Sequence, residues 1–221
     1  MLKAVLFDMD GVIVDTEPLH RKAYHQMFDD VNIKVDSVLY ESYTGQSTIN
    51  ICKRIVDHFG LKETPEHLVS LKRKHYQYLF NNDDELALID GVLDLIKDYH
   101  ANGVNLVVAS SASMLGINQI FERFDLNQYF SAKFSGADLS KSKPHPEIFI
   151  KAAESTGYSK SECMVIEDST NGIKAAHAAG IFCAGFKSVH SSGQDYTLAN
   201  MVVEHFNEIA FSKQDVFFKI K

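Results

Sequence analysis

Short runs of β-branched and apolar residues recur along this chain, and helix-like segments follow each of them. Lys3-Ala-Val-Leu-Phe7, Val104-Asn-Leu-Val-Val-Ala109 and Cys163-Met-Val-Ile166 carry apolar residues at successive positions, the pattern of strands buried on both faces. Phe182-Cys-Ala184 and Met201-Val-Val203 are weaker examples. Between them, Leu115 to Phe124, Glu147 to Ser155 and Gly172 to Ala179 show apolar residues at three- and four-residue spacing, with Gly157 and Gly180 placed to stop two of these helices. Alternating strands and helices predict an α/β fold, a Rossmann-like, mostly parallel sheet core that binds ligands at the carboxyl ends of its strands. The rhythm breaks between the first strand and Val104, an interval far longer than a single crossover needs. There Pro18 to Phe28, Ser47 to Phe59 and Pro65 to Phe80 carry helical spacing instead. An inserted α-helical cap domain is expected over 16–88, leaving a discontinuous core of 1–15 and 89–221, with the substrate between the two.

Composition narrows the class. With 221 residues, 45% of them hydrophobic, the chain can bury one sizeable core with a small appendage. A formal charge of -7 gives no field that would draw nucleic acid or an anionic membrane, though a local basic group can still grip a small anion. No apolar run is long enough to span a bilayer, and no secretory leader pattern follows Met1. Cys52, Cys163 and Cys183 are odd in number and scattered, which argues against disulfides and a thiolate metal site and fits a reducing cytoplasm.

The chemistry sits where the predicted strands end. Asp8-Met-Asp10-Gly11 follows the first strand, and its two carboxylates can face one ligand only if the chain turns at once, which Gly11 permits. Such a pair suits Mg²⁺, which takes one or two carboxylates together with phosphate oxygens, and an aspartate can itself form an aspartyl-phosphate. Asp-Gly alone would read as a plain turn. A calcium loop of the EF-hand type is excluded by the early glycine and by Leu19 at the position of its bidentate Glu. Ser110-Ser111 closes the second strong strand with hydroxyls and backbone N–H groups before a helix, which suits phosphate but equally describes a helix cap. Lys143 lies in the proline-stiffened run Ser142-Lys-Pro-His-Pro146, and Glu167-Asp168-Ser169 ends a further buried strand. Taken singly, each has an ordinary explanation as solvated lysine or helix cap. Together, in order, they deliver a carboxylate pair, a hydroxyl, a lysine and a second carboxylate pair to one sheet edge.

This set resembles the haloacid dehalogenase superfamily, and within it the β-phosphoglucomutase-like branch with a small helical cap. It comprises Asp8-Met-Asp10-Gly11-Val-Ile-Val-Asp15-Thr16-Glu17, Ala109-Ser110-Ser111, Lys143-Pro144 and Glu167-Asp168-Ser169 with Gly172 and Ala179-Gly180. The resemblance covers nearly the whole chain. It implies Mg²⁺ held by Asp8, Asp10, Glu167 and Asp168, with Asp8 as nucleophile and Asp10 as acid/base. Ser110 and Lys143 then bind the transferring phosphate, and Gly11 and Ser111 join the substrate-binding candidates. The presence of Asp10 argues against a dehalogenase. In the cap, Gly45 matches the family glycine, but Thr48 stands where a true β-phosphoglucomutase carries a phosphate-clamping arginine. His20 and Lys74 match mutase hinge and cap positions, although each also reads as a surface residue. A phosphatase acting on a small phosphorylated metabolite, a sugar phosphate first, is therefore expected, with a mutase as the alternative. A catalytically silent binding domain would have lost Asp8, Asp10, Lys143 or Asp168, and none is missing. A capped small-molecule site works as a monomer, and 195–221 carries no motif.

Overall fold

The structure, a computed structural model, describes residues 1–43, 47–188 and 193–218. The chain forms two compact units, Met1–Asp15 with Ala87–Lys221, and Thr16–Leu86. β1 (Ala4–Phe7) opens the first unit. The second follows with α1 (Glu17–Asp30), α2 (Ser37–Glu41), α3 (Thr48–Phe59) and α4 (Pro65–Asn82). The first then resumes with α5 (Val92–Ala101), β2 (Asn105–Ser110), α6 (Met114–Arg123), β3 (Ala132–Ser135), α7 (Glu147–Thr156), β4 (Cys163–Glu167), α8 (Thr170–Ala179), β5 (Phe182–Phe186), β6 (Met201–Val203) and α9 (Gln214–Phe217).

Among the described residues the core unit holds one six-stranded sheet in the order β3-β2-β1-β4-β5-β6, with every neighbouring pair parallel. The expected α/β architecture is present. β1 lies between β2 and β4 with all four of its residues buried, so its continuous apolar run needs no alternation. One face packs Leu6, Val107, Ala109, Val165 and Cys183 against Phe149, Ala152, Ile173 and Ala176 of α7 and α8. The small alanines bring these helices close to the sheet, and Gly157 and Gly180 end them in left-handed conformation. In register, Phe7 pairs with both Val108 and Ile166, so β1, β2 and β4 finish at nearly the same level. That register sets Asp8 level with Glu167, with Ser110 one residue further along β2. The 206–218 stretch, which carried no motif, closes the unit. Tyr99 Oη donates to Ile209 O at 2.5 Å, Phe206 stacks on Phe186, and Leu2 N donates to Gln214 Oε1 at 3.1 Å.

The helical unit has its own core of Tyr24, Met27, Phe28, Ile51, Cys52, Ile55 and Leu68. Two of its helices begin at a side-chain cap. Asp36 accepts from Leu39 N at 2.8 Å to start α2, and Thr64 accepts from His67 N at 3.2 Å to start α4, with Pro65 next. Lys72 is buried one helical turn beyond Leu68 on the inward stripe of α4. Among the described residues no helix is long and apolar enough to cross a membrane.

Candidate active site

Asp8 extends β1 by one residue, since its N–H still donates to Ile166 O at 3.0 Å. The chain then leaves the sheet in a tight loop. The N–H groups of Ile13 and Val14 both donate to Met9 O, at 2.8 and 3.1 Å, and Gly11 N donates to Val14 O at 2.9 Å. Gly11 has φ +86°, and a β-carbon there would lie 2.2 Å from Asp168 Oδ2. Glycine is required twice, for the backbone turn and for the close approach of the Asp168 carboxylate.

Lys143 binds these loops together. Its Nζ donates to Asp8 Oδ1 and, at 2.9 Å, to Glu167 Oε1, while its side chain is only 5% exposed and lies over the Phe149 ring. The peptide between Lys143 and Pro144 is cis. Glu167 in turn is fixed from the other side. Its Oε2 accepts from Ser169 N at 2.6 Å and from Ser169 Oγ at 3.0 Å, and Ser169 caps α8 by accepting from Gly172 N. A β-carbon on Gly172 would fall 1.6 Å from Glu167 Oε1, so glycine makes room for this carboxylate. Ser110 is fully buried. Its Oγ accepts from Ala112 N at 3.0 Å and donates over a long 3.4 Å to Asp10 Oδ2. Ser111 is exposed beside it.

Electrostatics follow from this crowding. Burial raises the Asp8 pKa well above the usual carboxylate value. Lys143 opposes the rise, and the charges of Glu167, Asp168 and Asp10 add to it. Burial works against the Lys143 ammonium, but Asp8 and Glu167 outweigh it and hold the lysine charged. Three carboxylates therefore act on Asp8 beside a single bound lysine, so acidic groups outnumber the one cation there. Among the described residues no three His, Cys, Asp or Glu side chains gather closely enough to form a metal cage on their own. Mg²⁺ does not need one, because it keeps waters and substrate oxygens beside one or two carboxylates. Glu167 gives both oxygens to Lys143 and Ser169, and Asp8 and Asp168 are further carboxylates of the kind that suits a hard cation.

The helical-unit candidates separate. His20 on α1 is half-buried, with Nδ1 2.6 Å from Lys72 Nζ and its ring stacked on Tyr76. Thr48 opens α3. Both line a cavity of about 160 Å³ together with Glu17, Tyr24, Tyr40, Tyr43 and Lys72. Lys74 is exposed and does not line it; the lysine in that place is Lys72, two positions earlier. Lys72 could have been found by its spacing from Leu68, since a helix repeats its inward face after four residues. Gly45 lies outside the described residues. Tyr43, 3% exposed, has no hydrogen-bond partner for its hydroxyl among the described residues, and it went unnoticed in the sequence for want of any motif.

The family model for haloacid dehalogenase-like hydrolases matches residues 5–186. The chain belongs to that family. It is 30% identical over 214 residues to a β-phosphoglucomutase of Bacillus subtilis, covering 94% of this chain and 92% of that protein. It is 29% identical to the fructose-1-phosphate phosphatase YqaB of Escherichia coli, covering 80% of this chain and 92% of the relative. The structure of CbbY from Rhodobacter sphaeroides in complex with phosphate superposes with a TM-score of 0.85 at 25% identity, over 97% of this chain and all of that one. Family and relatives make this chain an enzyme of the phosphatase kind.

Proposed function

We propose that the chain is a Mg²⁺-dependent phosphatase that hydrolyses a small phosphorylated metabolite, a sugar monophosphate first, through an aspartyl-phosphate on Asp8. The observation that carries this reading is the Asp8 carboxylate at the end of β1, bonded by Lys143 and surrounded by Asp10, Glu167 and Asp168. Asp8 Oδ attacks phosphorus and the bond to the sugar oxygen breaks; Asp10 gives its proton to that oxygen. The Asp10 carboxylate then takes a proton from a water, which attacks the aspartyl-phosphate and releases inorganic phosphate. Lys143 neutralises charge on the transferring group, and Ser110 supplies a hydroxyl donor at the end of β2. Glu167 holds Lys143 in place. A cation bound by Asp8 and Asp168 would supply further charge neutralisation, without which an anionic carboxylate and an anionic phosphate repel each other. In this reading the helical unit is a cap whose residues choose the substrate.

The mutase reading draws on the relative from Bacillus subtilis. A mutase must clamp a second phosphate. The cavity in the helical unit offers Lys72, already bonded to His20, beside the carboxylate of Glu17 and three phenols. That lining favours hydroxyl groups over a second dianion.

The deciding experiment measures phosphate release from sugar phosphates, phosphoglycolate, nucleotides and pyrophosphate, with Mg²⁺ or EDTA, for the wild type and Asp8→Asn. Metal-dependent release that disappears in Asp8→Asn supports the proposal. Conversion of β-glucose 1-phosphate to glucose 6-phosphate without free phosphate, given a trace of bisphosphate, would replace it with the mutase.

A further inference from the structure

The segment Gln194–Tyr196 carries no catalytic motif, yet its three successive residues grip Asp168 and Thr170 in the stretch after β4. Gln194 Oε1 accepts from both Thr170 N and Thr170 Oγ1, each at 2.8 Å. Asp195 N donates to Thr170 Oγ1 at 2.8 Å. The Tyr196 hydroxyl lies 3.0 Å from Asp168 O and 3.3 Å from Phe186 O. A phenol has one proton, so it shares that donor between the two carbonyls, with the shorter leg to Asp168. The bond ties the turn that carries Asp168 to the end of β5.

The ring and the hydroxyl have separable tasks. The ring packs on Gly185, where an added β-carbon would come within 2.8 Å of Tyr196 Cδ1. A phenylalanine would fill that space equally well. The hydroxyl, by contrast, acts on the backbone of Asp168, whose carboxylate is pressed from the other side against Gly11. Asp168 is thus tied at its carbonyl while its carboxylate lies close against Gly11, and a shift of that carbonyl moves the carboxylate.

We propose that Tyr196 is a positioning residue that fixes the Asp168 carboxylate in the place where the site takes its divalent cation. This rests on the reading of Asp8 and Asp168 as the cation-binding pair. Groups that orient a metal ligand from behind are worth 10- to 100-fold in metal affinity. A backbone tether belongs at the lower end of that range.

The test is isothermal titration of the substrate-free protein with Mg²⁺, comparing wild type, Tyr196→Phe and Asp168→Asn. The expected result for Tyr196→Phe is a Mg²⁺ dissociation constant raised about tenfold, with kcat lowered at limiting Mg²⁺ and restored when Mg²⁺ is saturating. Because the ring is kept, the variant folds. A purely structural hydroxyl would lower the unfolding midpoint and leave the Mg²⁺ dissociation constant where it was; that outcome overturns the inference. If Asp168→Asn also binds Mg²⁺ as the wild type does, the assignment of the cation site is wrong and the role of Tyr196 falls with it.

Discussion

Mild acid should loosen the helical unit, and His20 provides the mechanism. Its Nδ1 lies 2.6 Å from the Lys72 ammonium, which can only donate, so the imidazole must offer a lone pair and be neutral. Burial first, and the Lys72 charge second, lower its pKa from 6.5 to about 3. The unfolded chain therefore takes up the proton first. The stability that depends on neutral His20 is complete above pH 6.5, drains away below it, and stops falling only near the folded value. At pH 5 the full shift corresponds to about 2 kcal/mol, and allowing for the half-buried ring about 1–2 kcal/mol remains. His20→Gln retains an acceptor for Lys72 and cannot be protonated in this range. Urea unfolding of both proteins at pH 7.5 and pH 5 gives the comparison. The wild type should lose about 1–2 kcal/mol more than the variant, whatever the remaining carboxylates contribute to both. Equal losses would mean that His20 is not held neutral, and the geometry with Lys72 would then need a different explanation.

Two other substitutions probe the sites directly. Lys143→Met keeps the packing over Phe149 but leaves Asp8 and Glu167 without their cation, so it should cost about 3–5 kcal/mol in denaturant unfolding and about 10²–10³ in phosphate release. Tyr43→Phe removes a buried hydroxyl with no partner among the described residues. It should raise the stability of the unliganded protein by about 1 kcal/mol in thermal unfolding while raising KM for the substrate.

The parts of this molecule that could be read from the sequence are those where one physical demand dominates. β1, β2 and β4 are buried on both faces and so are written as unbroken apolar runs, and each predicted strand lies within a residue or two of the observed one. β3 left no such trace. It is a four-residue edge strand, Ala-Lys-Phe-Ser, and Lys133 in it serves the surface by donating to Asn118 and Asn127. Asp8, Ser110 and Glu167 were visible because each ends or follows a readable strand, and Lys143 because prolines follow it. In the helical unit, Lys72 was hidden inside Lys72-Arg73-Lys74, where charge suggests solvent although the helical period of Leu68 points inward. A buried lysine breaks the rule that polar residues lie outside, and such breaks are where local patterning gives way to chemistry.

Glu167 and Asp168 show the same limit at higher resolution. Adjacent in sequence and identical in charge, they look like one acidic unit. The structure separates them by a single step of the backbone. Glu167 is the last paired residue of β4, opposite Gly185, and its carboxylate turns to Lys143 and the first turn of α8. Asp168 is already off the ladder, with its carboxylate against Gly11. The consequence is chemical as well as geometric. In the proposed reaction Lys143, shared by Asp8 and Glu167, would keep Glu167 as a partner while turning from Asp8 to a phosphate. The two acids differ because one backbone step sends their carboxylates to different neighbours, which no inspection of residue type could supply.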